Sequence, residues 1–214
     1  MRNAMILALV LAVSATAWAD WFPGDDFKMH WPQMPDPNGW DVNFIQPKVL
    51  ADDWECTEDG PVSDVHFWMS SRMDEPFILL SVHLSIHTDD LSNPDYSQPG
   101  NLLWEADFDP SMFTVNPYGT GQQGWYDPNP PEQVYPGDHF MFYQVNIPRI
   151  PDPWIQEKGT IYWLDISVVG IGPLGLAQLG WKTSLDHFRD NAVWADDTGG
   201  AIAQWQPLTD PFSG

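Results

Sequence analysis

Residues 79–87 read LLSVHLSIH. Val82, Leu84 and Ile86 fall on one face of an extended chain, and Ser81, His83, Ser85 and His87 fall on the other. Successive side chains of a strand point to opposite faces, so an alternation of period two marks a half-buried β-strand. IYWLDISVV (161–169) repeats it, with Leu164, Ile166 and Val168 expected inward and Trp163, Asp165 and Ser167 outward. VSDVHFWMS (62–70) and HFMFYQVNI (139–147) read as further strands, the second apolar on both faces and therefore central.

Outward from these runs the chain is punctuated by DPNG (36–39), YDPNPP (126–131) and YPGD (135–138), which are turn sequences. The 21 prolines leave little room for a long helix. Short strands without a βαβ rhythm predict an all-β fold, an antiparallel β-sandwich of jelly-roll type. One domain over 44–214 is expected, with a single short helical turn near 184–190 capped by Thr183 or Ser184.

The first nineteen residues, MRNAMILALVLAVSATAWA, have the order of a secretory signal. Arg2 is the basic start, Met5 to Val13 the apolar run and Ala17-Trp18-Ala19 the cleavage site. That run is shorter than the ~20 residues of a membrane span, so a secreted or surface-associated chain beginning at Asp20 is expected. Without Arg2 it carries 7 basic and 30 acidic residues, a formal charge of −23. Such a surface repels nucleic acid and anionic lipid and attracts cations. Cys56 is the one cysteine, so no intrachain disulfide can form, and it reads as a small buried hydrophobe.

NGWDVN (38–43), LADDWECTEDGPVSDVHFW (50–68), LSIHTD (84–89), GWYDPN (124–129), YWLDISV (162–168) and GWKTSLDHFRDNAVW (180–194) resemble an uncharacterised family of bacterial exported, tryptophan-rich β-domains. Members often carry a C-terminal sorting tail of the Pro-Glu-Pro type, which QPLTDPFSG (206–214) is not. The resemblance implies an exported β-domain and supplies no catalytic residues.

Lys182, Ser184, Asp186 and His187 are hydrolase residue types, but on a strand His187 points away from the other three. Ser184 also lacks the glycine-flanked turn of a serine nucleophile, so the stretch reads as structural and no enzyme is expected. His83 and His87, four residues apart on one strand, are separated by about 13 Å, too far to share an ion. Calcium fits better. Asp36, Asn38, Asp41 and Asn43 surround Gly39 with oxygens, and Asp52-Asp53 is a further candidate.

Residues 20–43 form a proline-broken arm bearing Trp21, Phe22, Phe27, Met29, Trp31, Met34 and Trp40. Burying several of these at roughly 1.5–3 kcal/mol each favours docking on a neighbouring copy, head to tail, into a filament. The sequence therefore points to a calcium-rigidified, self-assembling extracellular structural protein. The alternative is a carbohydrate-binding module, with Trp104, Trp125, Tyr126 and Trp154 stacking on sugars or polysaccharide.

Overall fold

The alternating runs do become long strands, and they pair as their apolar faces require. The computed structural model describes residues 20–197, 202 and 204–213, so the signal segment expected at 1–19 lies outside the described residues. The strands are β1 (Trp40–Asn43), β2 (Lys48–Glu55), β3 (Gly60–Pro61), β4 (Val65–Ser71), β5 (Ile78–Asp90), β6 (Gln98–Phe108) and β7 (Thr114–Asp127). They continue as β8 (Gln133–Ile147), β9 (Ile155–Gln156), β10 (Ile161–Gly172), β11 (Gly175–Leu176), β12 (Leu179–Lys182), β13 (Val193–Asp196) and β14 (Gln206–Pro207). Among the described residues there is no α-helix, only a 3₁₀ turn at Arg72–Asp74.

One sheet runs β14-β13-β2-β10-β5-β6, with β11 on the far half of β10. Val82 faces Val168, Leu84 faces Ile166 and Ile86 faces Leu164 across β5 and β10, the register that puts the expected apolar set on one face. Val82, Leu84, Ile166 and Val168 join Phe44, Phe67, Met69, Val145, Ile147 and Leu179 in the main core.

The second sheet, β1-β12-β4-β8-β7, closes on itself because β1 pairs with β12 antiparallel and with β7 parallel. Closure departs from the expected sandwich of two open sheets, while β1–β7 is a parallel pair in an otherwise antiparallel sheet. The cause is the DPNG turn, which feeds β1 into the gap between β12 and β7. Gly180 permits the close approach: a Cβ there would lie 2.7 Å from the Asp41 Cβ.

The first sheet's outer face also departs from expectation. Trp163, Asp165 and Ser167, expected outward, are buried, as are Ser85 and His87. Trp163 packs with Val49, Ala51, Val193, Ala195 and Trp205, and Tyr96 closes over them with its hydroxyl donating to the Trp205 carbonyl at 2.9 Å. The loop before β6 and the C-terminal segment thus form a second layer.

Residues 184–190 form no helical turn. The Thr183 hydroxyl is committed to Trp40, accepting from its N–H and donating to its carbonyl, both at 3.0 Å, and Ser184 bridges to Pro35. The Thr183 side chain thus holds the arm, while the Ser184 hydroxyl accepts from the Asp186 N–H at 3.1 Å in a local turn that no helix continues.

Candidate functional site

The closed sheet gathers polar side chains from four strands at one buried point. Asp41 of β1, Ser70 of β4, His139 of β8 and Lys182 of β12 are all buried. The Lys182 Nζ donates to Asp41 Oδ2 at 3.0 Å. His139 Nε2 stands 3.0 Å from the same oxygen and 2.7 Å from the Ser70 hydroxyl. On the other side of the ring, Nδ1 is 3.2 Å from Asp138, which Arg72 holds at 3.3 Å. Burial pulls the Lys182 ammonium below its usual pKa, and Asp41 opposes that shift.

Asp138, His139 and Ser70 are thereby in the hydrogen-bonding order of orienter, base and nucleophile. Ser70 and His139 are fully buried, however, and Asp41 shares the nitrogen that would take a proton from Ser70. The constellation reaches no substrate from solvent. It links β1, β4, β8 and β12 across the inside of the closed sheet.

Lys182 is the one member of the 182–187 hydrolase stretch in this network. Ser184 contacts the arm, while Asp186 and His187 are exposed. His139 is central to the network, and neither His139 nor Ser70 has a distinguishing neighbour in sequence.

The oxygen-rich loop does not converge. Asp36 Oδ1 accepts from the Asn38 N–H at 2.9 Å, an Asx-turn, and Asn38 Oδ1 accepts from the Gln122 N–H. Asp41 points to Lys182, and the Asn43 amide donates to Asp127 at 2.7 Å. Asp52 and Asp53 lie on opposite faces of β2, as neighbours on a regular strand must. Among the described residues no three His, Cys, Asp or Glu side chains stand at metal-binding spacing.

The arm expected to dock on a neighbour is seated on its own globule. Trp21 packs edge-on against Trp68 at 6.2 Å, with Phe142 and Met34 beside it, and its carbonyl accepts from the Gln144 amide. Met29 bridges to Cys56 and Trp40 lies in β1 against the main core. A Cβ on Gly121 would fall 1.7 Å from the Pro37 carbonyl oxygen, so β7 needs glycine where the arm crosses it. Phe22, Phe27 and Trp31 remain exposed. The sugar-stacking set is also taken up by packing. Trp125 and Tyr126 are buried, and Trp104 and Trp154 pack around Cys56, Ile86 and Tyr162.

The cover on the first sheet's outer face stops short of one end. Cross-strand register places Ile78 beside Ile171 and Ile171 beside Leu176, with Leu174 at the intervening turn. Ile78, Leu174 and Leu176 are 61%, 92% and 67% exposed. Beside this strip an apolar groove of about 520 Å³ is lined by Pro76, Phe77, Ile78, Pro110, Phe113 and Tyr143 among others.

A family profile described as a domain of unknown function, DUF7901, matches residues 29–214. The chain belongs to the DUF7901 family. The match takes in every strand and both layers of the DUF7901 fold, together with the arm from Met29 onward. No curated protein and no solved structure matches the chain.

Two adjacent acids on β2 of this DUF7901 domain, Asp53 under the outer cover and Asp52 on the other face, have a measurable consequence. Asp53 is buried, neither carboxylate oxygen has a hydrogen-bond donor, and the Arg189 guanidinium is 3.7 Å away. Burial, and then the charge of Asp52, raise its pKa to about 8. Asp52 is raised to about 7, again mainly by burial. A carboxyl that keeps its proton in the folded state and loses it when unfolded makes stability fall as pH rises between the two pKa values. His30, lowered by burial to about 4, works the other way, but only below its unfolded value near 6.5. Between pH 6.5 and 8.5, in chelated buffer, stability is expected to drop by about 2 kcal/mol. Urea unfolding across that range checks it. Asp53→Asn should flatten most of the slope, and an unchanged slope would reject the assignment.

Proposed function

We propose that this DUF7901 chain is a non-enzymatic, exported bacterial structural protein whose copies associate through the uncovered strip at Ile78, Leu80, Val169, Ile171, Leu174 and Leu176. The carrying observation is the strip itself: an aliphatic sheet face with no ionisable side chain in it, on a chain of formal charge −22. Like-charged copies repel over an acidic surface and can approach most closely where charge is missing. A basic partner would be drawn to the acidic surface instead, so the strip favours a second copy.

The groove beside the strip supplies the recess and Leu174 the projection. Leu174 sits at the tip of the β10–β11 hairpin, and Ile78 belongs to both strip and groove. Reciprocal insertion across a two-fold axis uses the same patch on both copies. The sealed Ser70–His139 pair supports the non-enzymatic reading, and the signal-like residues 1–19 support export. Arm donation remains a less economical route, since Trp21, Met34 and Trp40 would first have to leave their own contacts.

Sedimentation velocity over a concentration series tests the proposal. Wild-type protein should form a reversible dimer or larger species. Leu174→Asp should weaken association by at least about a hundredfold, since a two-fold dimer loses two buried leucines worth roughly 1.5–3 kcal/mol each. At concentrations where the wild type is monomeric its unfolding midpoint should match, because the side chain is 92% exposed in the isolated chain. A wild-type monomer at all concentrations would end this reading.

A further inference from the structure

The acidic groups around Arg189 pose a different question: what neutralises them. Asp53 and Asp89 converge on one guanidinium nitrogen, Arg189 Nη1, at 3.7 Å and 2.8 Å. Asp89 Oδ1 also accepts from the Trp163 indole at 2.9 Å, which fixes its orientation. Asp190 adds a third carboxylate to the local field, held by the Ser97 N–H and hydroxyl at 2.8 and 2.6 Å. Three carboxylates therefore share one positive charge.

Asp53 is the anomaly. Its side chain is fully buried on the strand face toward Arg189, and neither oxygen has a donor. A buried carboxylate without hydrogen bonds costs several kcal/mol unless it is protonated or meets a cation. Arg189 meets it poorly, with its guanidinium bonded to Asp89 instead. The arginine comes from an exposed loop, its backbone is in the left-handed region at φ 49°, and its side chain is partly exposed. It forms a plug that opens toward solvent.

We infer that Asp53 and Asp89 form a calcium site in which the Arg189 guanidinium occupies the cation's place, and that calcium binds by displacing it. Calcium takes carboxylate oxygens at 2.3–2.6 Å and completes its shell with water, which the partly open mouth of the site admits. From their distances to Nη1 of 3.7 and 2.8 Å, Asp53 would close by roughly 1.1–1.4 Å and Asp89 by less than about 0.5 Å, within the reach of side-chain rotation. A hard divalent ion also suits an all-oxygen site better than a transition metal. Millimolar dissociation constants are typical of extracellular calcium modules, and competition with a tethered arginine keeps affinity in that weak range.

The inference differs from the oxygen-rich loop at 36–43, whose residues are committed elsewhere, and it is independent of self-association. The test is calorimetric titration with calcium chloride at pH 8, alongside melting curves, with magnesium chloride and sodium chloride at matched ionic strength as controls. Wild type should bind one calcium in the millimolar range and melt higher by several degrees at tenfold excess over its dissociation constant. Arg189→Ala should bind about tenfold more tightly. If that variant is unstable without calcium, calcium should restore it. Asp53→Asn should fold and lose the response. No binding by wild type, an equal response in Asp53→Asn, or no gain and no rescue in Arg189→Ala would each overturn the inference.

Discussion

Lys182→Ala is expected to cost about 3–5 kcal/mol of folding stability, seen as a lower urea midpoint at pH 7. The ammonium is buried with Asp41, 3.0 Å away, and Asp41 Oδ1 has no hydrogen-bond donor of its own. Removing the lysine leaves a buried carboxylate with only His139 beside it. The loss comes mainly from that stranded charge, because an intact buried pair contributes little net stability over an apolar substitute. Asp41→Leu combined with Lys182→Met should therefore recover part of the loss, although His139 and Ser70 would still lose a partner. If Lys182→Ala cost no more than a surface substitution, about 0.5 kcal/mol, the closed sheet would not be organised around this pair.

Trp163→Ala should be as damaging, about 3–5 kcal/mol, the range for truncating a large buried aromatic. The ring is fully buried under Trp205 and Tyr96, and its indole donates to Asp89. Trp163→Ala would open a cavity and release Asp89, whereas Trp163→Phe should lose less because most of the packing remains. Had the outer face of the sheet been solvated, either change would be near neutral, so thermal unfolding of the two variants measures the second layer directly.

That contrast marks where the sequence was legible. The inward set on β5 and β10 follows from period-two alternation, which is local and depends only on strand geometry. The cover over Trp163 does not, because it comes from residues 96 and 205, far from β10 in sequence and without a period of their own. A polar residue in an alternating run signals water or a polar partner equally well, and Asp165 and His87 have each other at 2.8 Å. The buried network was invisible for the same reason: Asp41 and Lys182 are 141 residues apart, and Ser70 and His139 are 69 apart. The arm's seat on its own globule was not legible because its aromatics lack a period, and composition alone does not say whose surface they cover. Asp53 was visible as an acid on β2, but its partner Arg189 belongs to a loop that read as a helical turn.

The most direct test of the association reading is the distance between copies across the strip. His83 lies on the outer face of β5 beside the strip, so a spin label on His83→Cys reports that surface, while the buried Cys56 should not label. Double electron–electron resonance should give a defined intermolecular distance for this label, lost in the Leu174→Asp background. An intermolecular distance from a label at Phe22 on the arm, with none from position 83, would contradict the account.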